Sequence, residues 1–377
     1  MLVNLHHILL ILTSFLFFMF SVFLVTYKKG NTLSYKFLAV FLFSHAILLF
    51  DRIFMSSSLP KTCPHLLSIG WPFIYLFSPA MFLYTQSITE KSFKLKKRHL
   101  LHLLPFFIFT SVAVFIFYIK SGEFKLAHFA PCVTLPDPAR TIHFTLIECQ
   151  FFVYAFLSLR WLHQYRRRIK IYYSTIDQIN LDWLSTLLYS FILWRIVFVM
   201  TIYLPIRPSA LKDTLGIILD IAFWFFAMVL IFKSLQQSTV FLGIPETVDQ
   251  PKYKNSPIAP NLNDQYVQKV NDYMKNQKPY LIPSLTIQEL AQSLSIHSKI
   301  LSQVLNESFG KSFYDFINGY RIDEAKQRLA SPDYVGKTVL EILYDVGFNS
   351  KAAFNRIFKE YTGITPTQFR NQMKTSG

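Results

Sequence analysis

"GFNSKAAFNRIFKEYTGITP", residues 347–366, holds a glycine at its start and another near its end, with one apolar stripe between them. Phe354, Ile357 and Phe358 fall at helical spacing, and Gly347 stands where a turn into that helix needs backbone freedom. With the stripe buried, Lys351, Ala352, Asn355 and Arg356 point the other way. A short helix with a polar, basic outer face cannot make a core alone, so its meaning depends on what precedes it.

What precedes it is a repeat. "TIQELAQSL" (286–294) returns as "TVLEILYDV" (338–346), 52 residues later. Both open on Thr-x-x-Glu, Thr286 with Glu289 and Thr338 with Glu341, the capping box that satisfies free N–H groups at a helix start. Ile287, Leu290, Ala291 and Leu294 then match Val339, Ile342, Leu343 and Val346 at helical spacing. The following helices pair at an offset of 53, with Leu301, Val304 and Leu305 answering Phe354, Ile357 and Phe358. Helix, tight turn, helix, twice over, predicts a tandem helix-turn-helix. Between the copies, "FYDFINGYRIDEAKQRLAS" (313–331) predicts one long helix spanning roughly 25–28 Å. Such a spacer can hold two recognition helices about one DNA turn, ~34 Å, apart.

At these residues the chain resembles the DNA-binding domain of the AraC/XylS family of bacterial transcription regulators. The likeness runs over residues 265–372 and is carried by "LTIQELAQSLSIHSKILSQVLNESFGKSF", "YRIDEAKQRL" and "DVGFNSKAAFNRIFKEYTGITPTQFR". It covers under a third of the chain. Leu343 departs from it, since such domains usually carry Ala there, which puts the local helix crossing in question. The resemblance implies double-stranded DNA as a partner and matches the contact positions to Lys299, Ser302 and Gln303 in the first motif and Lys351, Ala352, Asn355 and Arg356 in the second. Arg356 suits a guanine edge, and Asn355 and Gln303 suit adenine. Lys299 and Lys351 suit phosphates. The plainer alternative for each is a solvated helix face. A homodimer would fit such a regulator, but no coiled-coil heptad marks one.

The rest of the sequence has another solvent in view. Charged residues make up 16% of the chain and aromatics 17%, against roughly 25% charged in an average soluble protein. Seven apolar runs, at 5–27, 33–55, 66–88, 99–119, 141–163, 183–205 and 215–235, meet the length of about 20 residues that a membrane helix needs. The first lacks the basic start of a secretory signal, and six more follow it. Buried core helices are the alternative; seven such runs with few internal charges argue against it. The expected architecture is all-α: a seven-helix transmembrane bundle (1–235) with a sensing role, a flexible linker (236–262) holding Pro245, Pro251, Pro257 and Pro260, and a cytoplasmic tandem helix-turn-helix domain (263–377). The layout of the first part resembles the seven-span sensor segments that some bacteria join to regulators.

Charge sets the expected orientation. Residues 1–235 hold 22 basic and 9 acidic side chains, net +13, whereas 236–377 hold 16 and 13, net +3. A C-terminal domain that reaches DNA must be cytoplasmic, and an odd span count then puts the N-terminus outside a bacterial inner membrane. The positive-inside rule agrees. The inner connections carry 11 basic residues, among them Arg166, Arg167, Arg168 and Lys170, and the outer ones carry 6. The basic stretch "YRRRIKIYYSTIDQINLDWL" (165–184) suits anionic lipid headgroups; a second reading makes it the contact that relays a change in the bundle to the DNA domain. Cys63 and Cys132 fall in outer loops, where oxidation permits a bridge, or they are two unrelated thiols.

Ionisable groups within spans are costly and are either paired or functional. Away from the inner ends of the runs they are Asp51, Arg52, Glu148, Arg195 and Asp220, all expected in the outer half. They read either as ion pairs pinning the bundle, Arg195 with Glu148 or Asp220, or as a pocket for an unknown ligand from outside. No metal-ligand spacing, phosphate loop or nucleophile motif is present, so no enzyme activity and no cofactor are expected. A transporter carrying a regulator, or a passive tether that releases or presents the DNA-binding domain, are the competing classes.

Overall fold

The computed structural model describes residues 5–28, 30–90, 93–128, 138–203, 209–237 and 260–375. Of the expected linker, 238–259 lie outside the described residues, as does Cys132 and with it the Cys63–Cys132 bridge. The described residues form helices and no named strand; one isolated antiparallel bridge joins Tyr173 and Thr286. The chain divides into two compact units, residues 1–163 with 181–246, and residues 164–180 with 247–377.

The first unit holds α1 (Leu5–Thr26), α2 (Thr32–Ser56), α3 (Ile74–Thr89), α4 (Leu104–Ala113), α5 (Gly122–His128), most of α6 (Pro138–Tyr172), α7 (Asp182–Tyr203) and α8 (Ser209–Gln237). With short helical turns flanking α3 and α4, seven stretches among the described residues are long and apolar enough to cross a bilayer. Two differ from an uninterrupted helix. The third run reaches α3 through a turn at Trp71–Phe73, because Pro72 lacks an N–H and Gly70 lies against α2. A Cβ on Gly70 would stand 2.8 Å from the carbonyl oxygen of Ile47. The fourth run begins as a 3-10 helix at Lys97–Leu103 and ends as a π turn at Val114–Tyr118.

The fifth run differs most. α6 is 35 residues long and continues through "RRRIKIY" to Tyr172, so the first half of the expected inner loop is helical. No Gly or Pro interrupts it, and Leu162, Tyr165, Ile169 and Tyr172 continue a buried stripe at spacings of three and four. Its last turns belong to the second unit.

Aromatic rings fill the centre of the first unit. Phe41 stacks on Phe77 at 4.3 Å, Phe191 on Phe226 at 4.7 Å and His45 on Phe223 at 3.7 Å. The outward faces are equally apolar: Leu101, Ile108 and Phe115 beside and on α4 are 61%, 62% and 70% exposed.

The second unit holds α9 (Pro260–Gln277), α10 (Ile287–Ser293), α11 (Ser298–Glu307), α12 (Phe313–Ala330), α13 (Val339–Asp345), α14 (Lys351–Thr362) and α15 (Pro366–Thr375). Both expected capping boxes form: Glu289 accepts from the Thr286 N–H at 2.8 Å and Glu341 from that of Thr338 at 2.6 Å. A third starts α15, with Gln368 accepting from the Thr365 N–H at 3.0 Å. Leu343 is buried at 1% exposure, so the fold accommodates its larger side chain.

Gly347 has φ +91°, and an added Cβ would meet the carbonyl oxygens of Tyr280 at 2.7 Å and Leu281 at 2.9 Å. Gly310 also has positive φ, +63°, but open space around it. Gly347→Ala therefore costs both backbone strain and a collision, and Gly310→Ala the strain alone, about 1–2 kcal/mol. Limited proteolysis of the full chain, read at cleavage sites after residue 260, is expected to show clearly greater susceptibility for the first variant than for the second.

Candidate nucleic-acid interface

In the second motif, α13 and the turn at Gly347 bury Ala353, Phe354, Ile357 and Phe358 of α14. This leaves Lys351, Ala352 and Arg356 exposed and Asn355 half-buried, the face that the sequence stripe requires. The Ser350 hydroxyl caps α14 by accepting the Ala353 N–H, and Gly363 ends it in the left-handed region.

Arg356 is not idle on that face. It donates to the Tyr314 hydroxyl at 3.2 Å and lies 3.8 Å from Glu360 and 4.0 Å from Asp177. Partial burial works to lower its pKa, but Tyr314, Asp177 and Glu360 outweigh that and raise it. The guanidinium is a permanent charge with several donors still able to take a base or a phosphate.

The first motif departs from the outward face expected of it. Lys299 is exposed, yet Ser302 and Gln303 are buried at 4% and 8% exposure. Leu301 to Leu305 are all buried, five consecutive positions that go round more than a full turn. The sequence reading covered α11 on one side only. In the structure α9, α10 and α12 all pack against it. Gln303 donates to Glu307 one turn on, at 3.0 Å. The missed element, α9, had left a signal: Tyr266, Val270, Tyr273 and Met274 recur at helical spacing, and Val270 and Met274 are fully buried.

Behind both motifs stands Arg321 of α12, with no exposed surface. It donates to the carbonyls of Tyr280 at 2.7 Å and Ile282 at 2.9 Å and to the Ser174 hydroxyl at 3.2 Å. Burial lowers its pKa to about 10, with Tyr314 acting the other way, so it stays charged at neutral pH. One turn along, burial works to raise the Glu324 carboxyl, but hydrogen bonds from Lys278 and Arg328 outweigh it and hold the group below its usual range.

Sequence comparison meets this geometry directly. The family described as helix-turn-helix domain matches residues 290–372. The C-terminal part of this chain is an AraC-type helix-turn-helix domain. An HTH-type transcriptional regulator of Staphylococcus aureus (strain COL) is 36% identical over 109 residues, 29% of this chain and 14% of that protein. The HTH-type transcriptional regulator YtdP of Bacillus subtilis (strain 168) is 33% identical over 91 residues, 24% of this chain and 11% of its own. The matched stretch thus spans about one seventh or less of these relatives. No solved structure matches.

The structure distributes Asp51, Arg52, Glu148, Arg195 and Asp220 over three places. Arg195 forms a two-pronged pair with Glu148 at 2.7 and 2.6 Å, its guanidinium lying over the rings of Phe151 and Phe198. Asp220 is taken by Arg52 at 2.8 Å and by His6 at 2.9 Å. Asp51 accepts the Gly70 N–H at 2.8 Å, and its other oxygen is buried without a hydrogen-bond partner. The first pair ties α6 to α7, and the second ties α1, α2 and α8. Cys63 and Cys149 are exposed free thiols. Among the described residues, no group of three or more His, Cys, Asp or Glu could hold a metal ion.

Breaking one partner of a buried pair costs roughly 3–5 kcal/mol, while replacing both can be neutral. Arg195→Met alone is expected to lower the abundance of the chain in cells, and Arg195→Met with Glu148→Leu to recover it. An immunoblot of total protein decides. Undiminished single-variant abundance would instead leave the pair available for a ligand.

Proposed function

We propose that this chain is a membrane-embedded transcription regulator whose C-terminal domain binds specific double-stranded DNA and whose apolar helices sense a signal. The observation that carries the membrane part is the outward surface of the first unit. Phe115 and Ile108 stand on helical stretches with no polar face, and water would make so large an apolar surface costly. Lipid removes that cost. The DNA part rests on α14, which carries Lys351, Asn355 and Arg356 on one side and its packing residues on the other.

In this reading the N-terminus and the connections 56–65, 120–140 and 206–214 face the outside, and residues 236–377 face the cytoplasm. The basic positions at 91–98 and 166–170 then lie on the inner side, as the charge rule requires. The signal is a molecule or a membrane state acting on the helices, and the response is a shift between arrangements already available to the chain. No chemical step is involved.

Two measurements test this. Gln178 is exposed in the second unit, so a Gln178→Cys chain lacking its native cysteines should resist an impermeant thiol reagent in intact spheroplasts and react once the membrane is opened. Reaction in intact spheroplasts would overturn the orientation. For DNA, in vitro selection with the full chain in nanodiscs should return a preferred sequence. Arg356→Ala is expected to cost roughly 1–3 kcal/mol on it and to relax one base preference. Lys351→Ala should weaken all sequences alike and flatten the salt dependence by about one unit.

A further inference from the structure

The segment that leaves α6 belongs to the same compact unit as the helix-turn-helix motifs, and its contacts there are specific. Ser174 has no exposed surface. Its N–H and its hydroxyl both donate to the carbonyl of Leu285, at 3.1 and 2.7 Å. Its carbonyl accepts from Asn318 at 3.1 Å and, at 3.5 Å, from Arg321, which also reaches the Ser174 hydroxyl at 3.2 Å. Every polar atom of this residue is therefore bonded to the DNA-reading domain. Unpaired, the same buried groups would each be a penalty.

The neighbours of Ser174 extend the contact across both motifs. Tyr173 bridges to Thr286, the residue that caps α10. Lys170 places its ammonium 5.3 Å from the centre of the Tyr314 ring, whose hydroxyl holds Arg356. Asp177 brings a carboxylate to 4.0 Å from the Arg356 guanidinium. Lys170, Tyr314 and Arg356 line one cleft together with Asp315 and Glu360. The segment is braced from behind as well: Tyr165 donates to the carbonyl of Ile179 at 2.6 Å, and Arg166 to that of Asn180 at 3.1 Å.

We propose that residues 170–177 are an intrachain strap: Ser174 clips it into the DNA-reading domain, and Asp177 competes with DNA for Arg356. The strap is the last residues of α6 and the segment that directly follows them, and α6 begins as the fifth apolar run. A change in that run then reaches the domain through a continuous helix, independently of the linker. The masking half of the proposal rests on the DNA-binding reading above; the clip does not.

The clip is tested without DNA. In an antiparallel bridge whose flanking residues make the hydrogen bond, here Ser174 to Leu285, the opposed pair sits about 4.5 Å apart at Cα, within the span of a disulfide. In a full chain with Cys63, Cys132 and Cys149 replaced by Ser, the pair Tyr173→Cys with Thr286→Cys should close on mild oxidation in membrane vesicles. Failure to close overturns the strap.

The masking is tested by a double-mutant cycle on the full chain in nanodiscs, with a random-sequence 40-base-pair duplex as probe. Asp177→Asn should tighten binding about two- to fivefold, the scale of an exposed ion pair, and should have no effect once Arg356→Ala is present. An equal gain in both backgrounds would reflect net charge alone and overturn the masking. Ser174→Trp, too large for its buried seat, should gain at least as much as Asp177→Asn. Absence of binding in every variant would count against the DNA-binding reading, while the disulfide still decides the clip.

Discussion

A guanidinium with no exposed surface needs acceptors on every side, and Arg321 obtains them from three separate segments of chain. The carbonyls of Tyr280 and Ile282 come from the turn that precedes the first motif. The hydroxyl and carbonyl of Ser174 come from the segment just after α6, and the ring of Phe348, 5.6 Å away, comes from the turn of the second motif. Because the charge cannot be left unpaired in the interior, its position fixes those segments relative to α12. Gly347 shows how closely they fit, since no Cβ can stand between its backbone, the Tyr280 and Leu281 carbonyls and the Arg321 side chain. One buried cation thus joins the turns that precede α10 and α14 to the helix between the two motifs.

The apolar half obeys a different rule. Its centre is packed with aromatic rings, and its outer faces are no more polar than its core. In the lipid setting proposed for it, burial of apolar surface between helices gives little net drive, so association depends on packing and on polar ties. The Arg195–Glu148 and Arg52–Asp220 pairs are ties of that kind between helices distant in sequence, and the Gly70 N–H bond to Asp51 holds the turn before α3 on α2. A pair in such surroundings is strong once made and costly once broken.

Local rules were legible in the sequence where the fold obeys them. Thr-x-x-Glu marked the starts of α10 and α13, and the stripe at Phe354, Ile357 and Phe358 fixed the buried side of α14. The seven apolar runs were visible because lipid-length helices require a continuous composition. What escaped was set by contacts distant in sequence. Ser302 and Gln303 looked outward because the stripe alone was read, whereas in the structure both are buried on a helix packed by α9, α10 and α12. Basic residues at 166–170 looked like a loop because charge was weighed above the unbroken stripe from Leu162 to Tyr172. Nothing in the identity of Ser174 announces that it lies 111 residues from its partner Leu285 and 147 from Arg321.

The strength of the Asp177–Arg356 contact bears on how such a strap can act. At 4.0 Å, with Arg356 57% exposed, it is a weak pair in a high-dielectric setting. A duplex presents many phosphates at once, and their attraction exceeds what one carboxylate withholds. The contact therefore biases the recognition arginine without closing the site, and the reader's own net charge of +3 leaves it little nonspecific affinity to spare. A domain so poised is sensitive to small changes: a shift of α6 that loosens Ser174 frees Arg356 and alters binding by a factor, not by an on-off step. That graded behaviour follows from placing a strong buried clip at Ser174 and a weak exposed pair at Asp177 on the same short segment, so that the first sets the position and the second sets the response.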